Sequence, residues 1–221
     1  MKNISIETKE KLTQYQALLI KWQKAINLVS GKSLEDIQRR HFDDSLQLAG
    51  LLPEKDSRLR GKGRLVLMDI GSGAGFPGMV LAIARPDLKV HLVESDARKC
   101  EFLRTVSRET DTPVEIHNIR VEKFQERPDP STALAGARSA QDDNVIDVIT
   151  ARALADLEIL CGYCLPFAQE NPALEMLFLK GEKAAGEIEK AREKYAFDCE
   201  EFPSRTDSGG VILRLRNLHK S

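Results

Sequence analysis

An α/β fold is predicted, with a mostly parallel seven-stranded sheet whose last pair is a hairpin, preceded by helices. Three observations predict it. From residue 65 onward, short apolar runs alternate with helical segments, the grammar of a sheet covered on both faces. The first run ends in a cluster of glycines that opens a helix. The last two runs leave no room for a helix between them, so one must run antiparallel.

The elements follow in order. Leu12, Tyr15, Leu18, Leu19, Trp22, Ile26 and Leu28 recur at three- and four-residue steps. That spacing predicts one amphipathic helix, stopped by Ser30-Gly31. Ser33, with Asp36 three residues on, is the expected N-cap of a second helix carrying Arg39, Arg40, His41, Leu46 and Leu48. Residues 53–63, with Arg58, Arg60 and Lys62, and with Arg64 just beyond, read as a basic linker. Strands are expected at 65–70, 90–94, 114–119, 145–150, 174–179, 197–202 and 211–215. Helices are expected at 77–85, 97–108, 154–167 and 182–195. Residues 127–144 are rich in Pro, Ala, Ser, Gly and Asp without apolar period, and read as a flexible insert. A helical front at 1–64 and a body at 65–221 are expected to form one compact unit.

Of the 221 residues, 42% are hydrophobic and 30% charged, which excludes a collagen-like or wholly disordered chain. No apolar run reaches the length of a membrane span, and the first residues lack the apolar core of a signal peptide. A cytoplasmic protein is expected. Cysteines at 100, 161, 164 and 199 do not make a disulfide framework at this length. Net charge is −1, but residues 1–65 carry +5 and residues 66–221 carry −6, so the front is suited to an anionic partner.

The chemistry is expected around Asp69-Ile70-Gly71-Ser72-Gly73-Ala74-Gly75-Phe76-Pro77-Gly78. In open parallel sheets ligands bind beyond the carboxyl ends of the strands. Gly73-x-Gly75-x-x-Gly78 matches the dinucleotide fingerprint literally, a weak signal alone. Asp69, ahead of the glycines, would repel a pyrophosphate and suit a cationic ligand such as S-adenosylmethionine. Glu94, closing the second strand, can accept both hydroxyls of an adenosine ribose and fits either cofactor.

The glycine stretch resembles the first motif of the bacterial ribosomal RNA small-subunit methyltransferase G family, also called glucose-inhibited division protein B. Ile26-Asn27-Leu28-Val29-Ser30, Arg40-His41-Phe42-Asp43-Asp44-Ser45, Arg120-Val121-Glu122, Thr150-Ala151-Arg152-Ala153 and Leu179-Lys180-Gly181 are similar to further family segments. They fall in the family's order over nearly the whole chain. The insert at 127–144 is the departure, since typical members lack it or keep it shorter. The resemblance implies a class I S-adenosylmethionine-dependent methyltransferase fold, Rossmann-like, acting on N7 of guanine-527 in 16S ribosomal RNA. It implies cofactor contacts at Gly71, Phe76, Val121, Glu122 and Arg152, with Glu94 at the family's acidic position and with Asp69 and Gly73 of the same loop beside them. It implies that Arg120 and Lys180 matter for activity, here read as substrate positioning. Asn27 and His41 lie in family-like segments. With Arg39 and Arg40, and with Lys21, Lys24 and the linker arginines, they are expected to face RNA phosphates. The expected partner is 16S ribosomal RNA or a small-subunit particle, met by a monomer.

Guanine N7 has an in-plane lone pair and no proton, so no general base is expected and alignment is the main task. Cys161-Gly-Tyr-Cys164 sits in an apolar helical stretch and reads as core. Trp22 reads as a core anchor. The four histidines, at 41, 91, 117 and 219, show no metal-binding spacing, and no metal is expected. Two other readings remain open: an NAD(P)-dependent oxidoreductase, and a non-catalytic RNA-binding protein on a methyltransferase-like fold.

Overall fold

The computed structural model describes residues 4–53, 64–124 and 145–221. The expected linker beyond Pro53, with Arg58, Arg60 and Lys62, and the expected insert at 127–144 lie outside the described residues.

Seven strands form one sheet: β1 (Val66–Ile70), β2 (Lys89–Glu94), β3 (Glu115–Asn118), β4 (Val148–Arg152), β5 (Glu175–Lys180), β6 (Tyr195–Pro203) and β7 (Val211–Lys220). Their order is β3-β2-β1-β4-β5-β7-β6. The first five run parallel. β7 is antiparallel to both β5 and β6, so the expected hairpin is present and the last strand is inserted between its neighbours.

β1 is buried along its whole length. Side chains alternate across a strand, so its residues feed two cores. Leu67 packs with Leu81, Leu92 and Leu103 on one face, whereas Met68 and Ile70 pack with Leu160 and Phe178 on the other. The helices α1 (Ile6–Gln23), α4 (Gly78–Ala84) and α5 (Ala97–Glu109) cover the first face. α6 (Leu157–Glu170) and α7 (Ala184–Arg192) cover the second. Cys161 and Cys164 are buried there, and burial pushes the Cys161 thiol up to about 12, so the CxxC is inert packing. Trp22 packs against Phe102 at 5.7 Å between ring centres, as a core anchor does.

The front differs most from expectation. α1 starts at Ser5, whose Oγ accepts the Thr8 amide at 3.0 Å, and ends at Gln23 instead of reaching Ser30. The Gln23 side chain takes over there: its Oε1 accepts the Leu28 and Val29 amides, and its Nε2 donates to the Val29 carbonyl. The expected second helix is broken into α2 (Gly31–Leu34), a π-helical turn Gln38–Asp43, α3 (Asp44–Leu46) and a 3₁₀ turn Gln47–Gly50. Ser33 does not cap it, because its hydroxyl turns back to the Ser30 carbonyl at 2.7 Å. The extra residue of the π turn brings His41 and Phe42 inward together, and both are buried. α6 also starts late, at Leu157, after Ala153 takes a left-handed φ of +52°.

Candidate active site

A cleft of about 460 Å³ opens where the carboxyl ends of β1, β2 and β4 meet. There the chain leaves β1 for β2 on one side, with β4 on the other, the switch point at which such sheets take ligands. A larger hollow of about 1140 Å³ lies beside α1 and the far end of α4, among Ile4, Leu46, Ile83 and Pro86. Charged groups such as Lys11, Arg39 and Asp43 share its lining, but it lies away from the strand tips where such sheets take ligands.

The glycine loop forms the floor of the cleft. The Gly71 and Ser72 amides both donate to the Val93 carbonyl, at 2.9 and 3.1 Å, which ties the loop to β2. Gly71 has φ +66°, and a Cβ there would stand 2.6 Å from Leu154 Cδ1, which closes over it. Gly75 has φ +94°, and a Cβ there would stand 2.5 Å from the Tyr15 hydroxyl. That hydroxyl donates to the Ala74 carbonyl, so α1 reaches across and holds the loop.

Glu94 sits at the tip of β2 and is buried. Its Oε2 accepts the Gly73 amide at 2.8 Å and its Oε1 accepts the Asp96 amide at 2.8 Å. Both oxygens keep a second lone pair for a ligand's hydroxyls. Val121 and Glu122 line the opposite wall with Arg120, and Tyr163 donates to Glu122 at 3.1 Å.

Asp69 is not in the lining. It is fully buried, with Oδ2 accepting the Gly78 amide at 3.1 Å and Oδ1 accepting the Thr150 hydroxyl at 2.8 Å. Burial raises its carboxyl from 3.8 to about 6, opposed by those hydrogen bonds. Its place beside a bound cation is therefore corrected: the side chain points at the start of α4. It still disfavours a dinucleotide, because it fills the helix N-terminus that would hold a pyrophosphate.

The front half supplies the third wall. Phe76 is buried between Tyr15, stacked at 5.5 Å, and His41, stacked at 4.9 Å. The Arg152 guanidinium lies 4.9 Å from the Phe76 ring centre. Arg152 also donates to the Arg40 carbonyl at 2.9 Å and to His41 Nδ1 at 2.8 Å. A guanidinium only donates, so Nδ1 accepts and the imidazole proton sits on Nε2. Burial, with Arg152 and Arg40 nearby, pushes His41 down to about 4. His41 is thus a neutral, buried residue of the cleft wall, whereas the sequence placed it among the exposed RNA contacts. Arg39, Arg40 and Asn27 are exposed. Arg39 lines the hollow beside α1, while Leu28 and Val29, next to Asn27, line the cleft.

Lys180 is corrected as well. Its Nζ bonds the Ala155 carbonyl at 2.7 Å and Glu187 Oε2 at 2.6 Å, and the side chain is 8% exposed. Glu187 Oε2 in turn accepts the first amide of α6, at Leu157, at 2.8 Å. The lysine braces the loop between β4 and α6 and does not line the cleft. Tyr15, Leu154 and Tyr163 were missed as site residues. Tyr15 and Tyr163 carry no local motif, and only an unfilled neighbour such as Gly75 hints at the first.

A family model described as "rRNA small subunit methyltransferase G" matches residues 8–209. A ribosomal RNA small subunit methyltransferase G of Parvibaculum lavamentivorans is 44% identical over 220 residues, covering 98% of this chain and 86% of its own. Its counterpart in Rhodospirillum centenum is 44% identical over 215 residues, covering 97% and 87%. Among solved structures, the O-methyltransferase TomG of Streptomyces achromogenes, in complex with SAM, aligns with a TM-score of 0.54. It is 12% identical and covers 94% of this chain and 90% of its own. A fibrillarin/Nop5p complex aligns with a TM-score of 0.52 at 12% identity, covering 80% and 83%. At such identities these two likenesses concern the fold alone.

Proposed function

The chain belongs to the rRNA small subunit methyltransferase G family, and from that we propose that it carries a methyl group from S-adenosylmethionine to N7 of a guanine in 16S ribosomal RNA. The observation that carries the reading is the cleft at the strand tips, with the Cβ-free glycine loop at its floor and the Glu94 carboxylate bonded to it. Its volume of about 460 Å³ falls in the range of cofactor sites.

When bound, the cofactor supplies an activated methyl on a sulfonium. The residues present fit it. Glu94 accepts the ribose hydroxyls, and the Gly71–Gly73 backbone admits the ligand closely. Val121 and Glu122 flank the nucleoside. Arg152 and Phe76 form the wall toward the RNA-facing front. Arg120, lining the mouth, holds phosphate or guanine O6 while N7 stays free. Lys180 acts through Ala155 and Glu187 as a positioning residue. The lone pair at N7 needs no base, so the chain's contribution is alignment, worth up to roughly 7–11 kcal/mol of barrier. The protein works in the cytoplasm, where 16S RNA is made, as a monomer.

Transfer of labelled methyl to small-subunit RNA tests the reading. Mapping of N7-methylguanosine in cells with and without the gene identifies the base. Absence of label on both naked RNA and subunits would sink it. Glu94→Ala is expected to weaken cofactor binding by at least about 10–100-fold, the loss of one charged hydrogen bond of about 1.5–3 kcal/mol. Calorimetry reads that change, and unchanged affinity would remove the ribose assignment.

A further inference from the structure

The β2–β3 edge of the sheet carries a cluster that methyl transfer does not use. His91 on β2 stands opposite Glu115 on β3, and His117 follows two residues later on the same face. His91 Nδ1 lies 3.0 Å from His117 Nε2 and 3.4 Å from Glu115 Oε2. All three atoms fall within 4.8 Å of one another. We propose that His91, Glu115 and His117 form a site for one divalent transition-metal ion of the zinc class.

The spacing fits. A tetrahedral ion with bonds of about 2.0–2.1 Å sets neighbouring donor atoms about 3.3 Å apart. Two of the three donor edges have nearly that length. The third closes by rotation of Glu115, whose side chain is 52% exposed and free of tight packing. The donors fit too. Two imidazole nitrogens and one carboxylate suit zinc, cobalt or nickel, whereas calcium and magnesium call for oxygen ligands. The fourth position opens to solvent on the Glu115 side.

The support around the donors is that of a prepared site. Two strands in fixed register carry them, which is stiffer than a loop. The imidazoles lie face to face at 5.3 Å and 17°, and Phe124 meets His117 edge-on at 4.9 Å. Lys89 lies 3.4 Å from Glu115 Oε1, the oxygen turned away from His91, and orients the carboxylate as an outer partner does. Sequence spacing hid the cluster because 26 residues separate the two histidines, and pairing of β2 with β3 brings them together. Glu94 lies three residues further along β2, about 10 Å away at 3.3 Å per residue. The ion therefore clamps edge strand β3 to β2 and stays clear of the cofactor cleft.

The test uses full-length, chelator-treated protein titrated with Co²⁺, followed by Zn²⁺ displacement. One equivalent of cobalt is expected, with the visible bands of a four-coordinate ion. Affinity should fall by at least the roughly 10–100-fold that loss of a mere outer partner costs, in both His117→Ala and Glu115→Gln. Both sites are partly or fully exposed, and circular dichroism confirms that the variants fold. Zinc should raise the melting temperature of the parent and of neither variant. Equal affinity in the parent and both variants would overturn the proposal. So would a thiolate-to-cobalt charge-transfer band, or no ion bound at micromolar concentration.

Discussion

At Asp69 a carboxylate fully removed from water faces one amide and one hydroxyl. Its pKa rises from 3.8 to about 6 on folding, so between those values the native state holds a proton that the unfolded chain has lost. Stability therefore falls as pH climbs through that window and is level above it, by roughly 3 kcal/mol for this residue. Asp69→Asn removes the slope: its stability relative to the parent should rise by about that amount from pH 4 to pH 7. Urea midpoints at the two pH values measure it, and parallel profiles would contradict it. Lys180 offers a second residue test. Lys180→Met strands Glu187 and should cost about 3 kcal/mol. Lys180→Met/Glu187→Leu should recover most of both stability and activity. A stable but inactive double variant would put the lysine on the substrate instead. Glu94 and the glycines were legible in the sequence because a strand end and a turn announce themselves locally. The partners of Asp69 and Lys180 were not, since Thr150 and Glu187 come from other elements.

Among elements, α1 and the glycine loop act as a pair. Ala at position 75 would set its Cβ 2.8 Å from that of Met79 as well as against Tyr15, at a φ of +94°. Gly75→Ala should destabilise the protein by about 2–4 kcal/mol, from strain and overpacking together. Chemical denaturation reads it, and a cost below about 1 kcal/mol would mean that α1 yields easily. Strand and helix positions were readable from apolar period, and most boundaries from β1 onward fall within one residue, with the largest shifts at β4, α6, α7 and the end of β7. The π turn at Gln38–Asp43 was not readable. Its apolar residues also satisfy a plain helix, and only packing of His41 and Phe42 on Phe76 selects the bulged form.

For the molecule as a whole, one core runs from Leu12, Tyr15 and Leu19 of α1 through Leu67 and Leu92 of the sheet to Phe102. The helical front and the cleft at the strand tips are thus built on a common interior. Charge divides differently, with +5 in residues 1–65. If the exposed Arg39 and Arg40 neutralise phosphates, Arg39→Gln/Arg40→Gln should lower the salt dependence of RNA binding by about two units of log–log slope. Filter binding across salt concentrations measures this, and an unchanged slope would move the interface elsewhere. The charge asymmetry was visible in composition. That Arg152 ties both halves together was not, because its contacts to Arg40 and His41 span over a hundred residues.

The insertion of β7 between β5 and β6 has a consequence for synthesis. The last of the seven strands in chain order is an interior one, so the sheet closes only once Val211–Lys220 has left the ribosome. A prematurely stopped chain lacking Val211–Lys220 keeps β5 as a naked edge and strips β6 of its neighbour. Such a fragment offers proteases and aggregating strands an open seam, which only the latest-made of the seven strands seals.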